Sequence, residues 1–395
     1  MARESMTDHS SQEGPKVSLR DKAEVVVVAV LTVTAAIAYL VAYWPWKAEA
    51  KTSPIAFFAS MPVLIITAGF AFTLGSNRLV AYWRAMVDKR PWFIWTVPIA
   101  ISLLYAVGTG LAGYGIWQNY LILTVYLLIP VALARLRTLW ADWAMCLAAW
   151  LPIQFDWVSL PLMPVPRQPD IWNHWIRKAY TAPAIPESFD AAQRQMAKTL
   201  IEIPRIPEPM QQVTVQTLFI ACTAIWAIMV VRRLDGFNFR LLFSFEDFKF
   251  GGKLFLLFGV VALPIATLTG FGNWQRMLSL HQTYPSIPPL LVYAILPVGM
   301  YFGVALIEES LFRGILQNLL SKTLGKPWIA WALASVVFGI VHFKFGSPVL
   351  YTIFATCAGG VYGYAYMKTG RIMPGAITHA MVNSLWLILF NPMSS

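Results

Sequence analysis

The chain has 395 residues, of which 58% are hydrophobic and only 12% charged, and its formal net charge is +11. A soluble globular protein carries about 25% charged residues, so this composition excludes a soluble domain pair, and a mean hydropathy of +0.60 agrees. The positive balance does not point to nucleic acid. The basic residues cluster beside apolar runs, as Arg78/Arg84/Lys89/Arg90, Arg135/Arg137 and Arg232/Arg233/Arg240, where membrane topology and lipid contact account for them.

Residues 1–22 are polar and mixed in charge and read as a disordered tail. They lack a cationic flank with a small-residue cleavage site, so the first apolar run reads as a span and not a removable signal peptide. A membrane-crossing helix needs ~20 mostly apolar residues. Such runs occur at 25–44, 54–75, 92–113, 119–134, 213–231, 254–272, 289–307, 328–343, 349–367 and 372–390. Leu139–Ile153 is shorter and contains Asp142, which suits a tilted span or an interfacial segment. Lipid leaves an open chain no way to satisfy its backbone except helix. The expected fold class is all-α, a polytopic membrane helix bundle with about 10–11 spans.

Three blocks follow the tail. An N-terminal transmembrane region occupies 23–153, a Pro-rich extramembrane loop 154–212, and a C-terminal transmembrane region 213–395. Prolines interrupt the loop, although Ser188–Ile203 is compatible with a helix. The six Phe residues between 237 and 250 alternate with charges, as in a segment at headgroup depth or a substrate-docking ledge. Cys146, Cys222 and Cys357 each lie in an apolar run without metal or disulfide spacing, so they read as buried small hydrophobes.

Ionisable groups at membrane depth are costly and mark functional candidates. The C-terminal spans hold one adjacent acidic pair, Glu308 and Glu309, and two histidines, His342 and His379. Four residues beyond Glu309 stands Arg313, on the same helical face. That pairing leaves Glu308, about 100° around the helix, for proton transfer; a solvated helix end is the plainer alternative. Phe338 precedes His342 by four positions and packs beside it. His379 and Asn383 are also four apart. They either hydrogen-bond between helices or donate to a developing oxyanion. Together the groups supply a base for water, a second titratable group and oxyanion donors.

The order Glu-Glu-x-x-x-Arg, Phe-x-x-x-His, His-x-x-x-Asn resembles the three motifs of the CPBP family. These are the type II CAAX prenyl endoproteases and the Abi or bacteriocin-processing membrane proteins. Every motif position is present, within about 295–390. The resemblance implies an intramembrane endopeptidase of glutamic type, a helix bundle enclosing a polar catalytic cavity, and a membrane-associated or lipidated peptide or protein as substrate. It implies that Glu308 activates water with help from His342, and that His379 and Asn383 form the oxyanion hole. Glu309 and Arg313 support the site, and Phe338 packs beside His342. No cofactor is expected. The alternative is a Zn²⁺ held by Glu308, His342 and His379, although no His-Glu-x-x-His helix is present. A non-proteolytic immunity or scaffold protein is the other competing reading. The expected location is a bacterial plasma membrane, multi-pass.

Alternating spans place Glu308 toward one membrane face and His342 toward the other. They meet only if the glutamate helix runs on past Arg313 or the 328–343 segment is shallow or tilted; Leu311–Leu320 is helix-compatible, so we expect a helix nearer 298–321 with Glu308 closer to mid-membrane.

Overall fold

A computed structural model of the protein describes residues 19–43, 54–111, 117–155, 215–271, 289–343 and 348–389. Those residues form helices and no strand. The expected tail and the 154–212 loop, with its Ser188–Ile203 helix, lie almost wholly outside them.

The N-terminal half comprises α1 (Leu19–Tyr43), α2 (Pro54–Thr73), α3 (Asn77–Lys89), α4 (Thr96–Leu111), α5 (Trp117–Leu136) and α6 (Leu139–Phe155). The second half comprises α7 (Val215–Trp226), α8 (Phe245–Leu268), the continuous helical run α9 over 289–324, α10 (Pro327–Val341), α11 (Pro348–Thr369) and α12 (Ile372–Leu389). Helix α1 begins ahead of the expected apolar run, carrying Lys22 and Glu24 into its first turns. Among the described residues, Pro91–Leu111, Phe245–Leu268 and Ala294–Leu324 are each long and apolar enough to cross a membrane. The chain is thus an all-α membrane helix bundle.

Exposed apolar residues show where lipid lies. On α1, Val26, Val30, Val33 and Ile37 are exposed and recur at helical spacing, so a single stripe faces outward. On α8, Leu256, Leu257, Val260 and Val261 do the same. The core lies between the halves. Trp226 at the end of α7 is fully buried, and its Nε1 donates to the Ile94 carbonyl at 3.0 Å.

Asp142 is the acid inside an apolar run, and its placement explains it. Arg232 donates to both carboxylate oxygens, at 2.6 and 2.9 Å, so a bidentate pair satisfies a buried charge. The short 139–153 run is accordingly an ordinary packed helix.

Two expectations need correcting. Phe237 and Phe239 are buried, and the Phe237 ring fills the space above Gly314. Phe237 seats the loop on α9 and Phe239 joins the same core cluster, while Phe243, Phe245 and Phe248 remain exposed. From Phe245 the segment is the start of α8, held by a capping box between Ser244 and Asp247. Cys146 and Cys222 are buried, whereas Cys357 is exposed on α11, because that face of the helix looks toward lipid.

Helices α10 and α11 pack closely because Gly339 has no side chain. A Cβ there would strike Thr356 Oγ1 and come within 2.9 Å of the Thr352 carbonyl oxygen. This approach brings the two aromatic-bearing faces of α10 and α11 against the glutamate helix.

Candidate active site

The glutamates sit in an unusual stretch of α9. A π-helical turn over Tyr301–Ala305 precedes them, and another over Ser310–Gln317 follows. Only Leu306–Glu309 between the two is wound as α-helix. Pro297 cannot donate its backbone bond, and it lies one turn before the first of these. π-turns inside α-helices recur at functional sites, where they re-aim side chains. The run extends past Arg313 to Leu324, so Glu308 falls near its middle, as the topology required.

Glu309 and Arg313 are both completely buried, and Arg313 Nε donates to Glu309 Oε2 at 3.0 Å. The guanidinium lies 5.2 Å from the Phe338 ring centroid and 6.0 Å from that of Tyr362. Its two terminal nitrogens have no hydrogen-bond acceptor. The negative faces of the two rings partly offset that lack.

The second oxygen of Glu309 accepts a hydrogen bond from His379 Nδ1 at 3.0 Å. The first α-helical turns of α12 place His379 there, and Gly375 one turn earlier leaves room for the contact. A Cβ on Gly375 would stand 3.2 Å from Glu309 Oε2. Tyr362 of α11 lies flat against the imidazole, with centroids 4.5 Å apart and planes 13° from parallel. Phe338 meets it edge-on at 5.6 Å. The ring is therefore fixed on three sides.

Its remaining nitrogen, Nε2, is 3.7 Å from Glu308 Oε2. Adjacent glutamates thus bracket one imidazole. Glu309 is sealed in the core, and Glu308 keeps a side chain that is 32% exposed. Among the described residues, Glu308 Oε2 itself is buried with no partner at hydrogen-bond distance.

His342 caps the C-terminal end of α10, and its Nδ1 is 2.7 Å from the Phe338 carbonyl oxygen. A carbonyl only accepts, so Nδ1 carries the proton and Nε2 is the basic nitrogen. The Phe338 ring packs on His342 at 4.6 Å. His342, His379 and Asn383 all line one cavity of about 80 Å³. Its other walls are Tyr351, Phe354, Tyr362 and Trp386 together with Phe255, Phe258 and Leu263 of α8. These are residues from the end of α8, the end of α10, the start of α11 and the end of α12. The cavity therefore lies toward the bundle end opposite the α9–α10 and α11–α12 turns.

The six motif residues and Phe338 are thus gathered around the meeting point of α9, α10 and α12. Two features escape the motif spacing. Glu309 binds His379 as well as Arg313, and Tyr362 forms a wall against His379; no periodic signal in α11 marks that tyrosine. Among the described residues, no three His, Cys, Asp or Glu side chains converge closely enough to hold a metal ion. The alternative zinc set of Glu308, His342 and His379 is therefore not gathered as a ligand cluster among them, and His379 Nδ1 is engaged by Glu309.

No curated relative and no solved structure matches the chain. The family model described as type II CAAX prenyl endopeptidase Rce1-like does match, over residues 289–385. That stretch holds all three motifs and every side chain of the bracketed imidazole, and the family is the one those motifs resemble.

Proposed function

We propose that the chain is an intramembrane endopeptidase that hydrolyses a peptide bond in a membrane-associated or lipidated substrate, using water activated by Glu308 and His342. The observation that carries this reading is the approach of Glu308 Oε2 to His379 Nε2, 3.7 Å apart, with His379, His342 and Asn383 lining one cavity. A water accepted there lies within hydrogen-bond reach, ~2.8 Å, of a carboxylate oxygen.

The chemistry then follows from the proton inventory. Glu308 takes a proton from water as its oxygen attacks the carbonyl carbon, and His342 Nε2 is the second acceptor. The carbonyl oxygen becomes an oxyanion, toward which Asn383 donates. His379 already donates from Nδ1 to Glu309, so Nε2 donates only when the ring is doubly protonated, and the Glu309 carboxylate faces that charge. Collapse of the tetrahedral intermediate breaks the C–N bond, and the proton held by Glu308 or His342 passes to the departing amine. Glu309 and Arg313 hold His379 in place and take no direct part. This reading routes no step through a metal.

The test is cleavage of membrane peptides by the purified chain in lipid, with Glu308→Gln, His342→Gln and a chelator as arms. Loss of cleavage in Glu308→Gln with full activity in chelator supports the mechanism. Chelator-sensitive activity restored by Zn²⁺ overturns it in favour of a metalloprotease. Wild-type cleavage by Glu308→Gln removes the glutamate from the chemistry altogether.

A further inference from the structure

The end of the bundle opposite the cavity carries a pattern that the hydrolytic site does not use. Helix α10 begins Lys326-Pro-Trp328, and α6 follows Arg137-Thr-Leu-Trp140. In each case a cation precedes a helix N-terminus and an exposed indole follows it; Trp140 is 61% and Trp328 62% exposed. The two starts are neighbours, because Trp143 Nε1 donates to Thr323 Oγ1 at 2.9 Å.

The cations there are uncommitted. The nearby Asp142 is taken by Arg232, and Lys322 donates to the Asp235 carbonyl. Among the described residues, neither Arg137 nor Lys326 has a carboxylate within ion-pair distance. Arg137 also holds a left-handed backbone, φ 52°. The corresponding turns after α9 and α11 use Gly325 and Gly370, at φ 66° and 64°. A glycine adopts that conformation at little cost, and an arginine does not. Arg233 shares this backbone conformation, φ 54°, and is paired with Asp88, a carboxylate partner that Arg137 lacks among the described residues.

We propose that this corner, where α6 meets the α9–α10 turn, binds the headgroup of an anionic phospholipid. Arg137 and Lys326 face the phosphate, two helix N-termini add their partial positive charge, and Trp140 and Trp328 lie at headgroup depth. Charge complementarity selects the anionic lipid over a zwitterionic one.

The test is native mass spectrometry of the full chain in detergent with equimolar phosphatidylglycerol and phosphatidylcholine, a readout independent of proteolysis. The wild type retains phosphatidylglycerol at least several-fold over phosphatidylcholine. Arg137→Gln/Lys326→Gln loses that preference, and Lys249→Gln/Lys253→Gln on α8 keeps it. Arg137→Gly lowers the preference while its melting temperature in zwitterionic detergent stays level or rises, which separates lipid binding from folding. Equal retention of both lipids by the wild type overturns the proposal. So does an unchanged preference in Arg137→Gln/Lys326→Gln, or displacement of the lipid by an equal concentration of inorganic phosphate.

Discussion

His379 donates from Nδ1 to Glu309 Oε1 at 3.0 Å, inside a core where both side chains are essentially sealed from solvent. This contact changes what the paired glutamates mean. Glu309 orients the imidazole and takes the Nδ1 proton's hydrogen bond, while Glu308 keeps a partly exposed side chain near Nε2.

Replacing the two glutamates should therefore give different failures. Glu308→Gln is expected to fold with a near-native melting temperature and lose about 10²–10⁴ in kcat, the usual worth of a general base. Glu309→Ala leaves the buried Arg313 unpaired and should cost ~3–5 kcal/mol of stability. Thermal melts in detergent beside cleavage rates distinguish the two; equal melting temperatures for both variants would refute the division of roles.

On the proposed mechanism Asn383→Ala removes an oxyanion donor and should lower kcat about 10²–10³-fold. The loss should fall on kcat, with KM little changed, because the interaction strengthens as the oxyanion forms. A variant that instead raises KM alone points to Asn383 as a substrate-binding group.

Tyr362 offers a contrast between ring and hydroxyl. Tyr362→Phe keeps the face stacked on His379 and should retain activity within a few-fold. Tyr362→Leu forfeits the aromatic pair, worth about 0.5–1.5 kcal/mol beyond burial, and should reduce kcat about tenfold. Equal kcat values in the two variants would show that the stacked ring does not position His379.

Gly339→Ala tests whether helix spacing sets the site. The added methyl meets Thr356 Oγ1 and the Thr352 carbonyl, an overpacking expected to cost about 1–3 kcal/mol. Thr356→Ala placed alongside should recover only part of it, since the backbone contact remains. Full recovery in the double variant would mean that the hydroxyl alone limits the approach.

Composition and run length made the bundle legible, since a helix is the only way for those segments to meet lipid. Spacing by four likewise made Glu309–Arg313, Phe338–His342 and His379–Asn383 visible as shared faces. Contacts between helices carry no such period. The bond from His379 to Glu309 spans 70 positions, and Tyr362 belongs to a helix that holds no motif. The burial of Phe237 is invisible for a related reason: alternation with charged residues describes a local pattern, whereas the space its ring fills lies over Gly314 of α9. Asp142 became explicable only with Arg232, 90 positions away.

The π-turns on either side of Leu306–Glu309 have a consequence for variation in length. A π-turn contains a residue more than the α-turn it replaces, so the glutamates are poised between two places where the helix can lose one residue and stay helical. Removing a residue from Tyr301–Ala305 lets that turn rewind as α-helix, so the stretch before it keeps nearly its rotational phase and Glu309 stays on Arg313. Ser310–Gln317 contains Arg313, so a residue lost ahead of Arg313 takes it off the face of Glu309, because the pair depends on spacing by four. The first deletion spares the ion pair behind His379; the second breaks it.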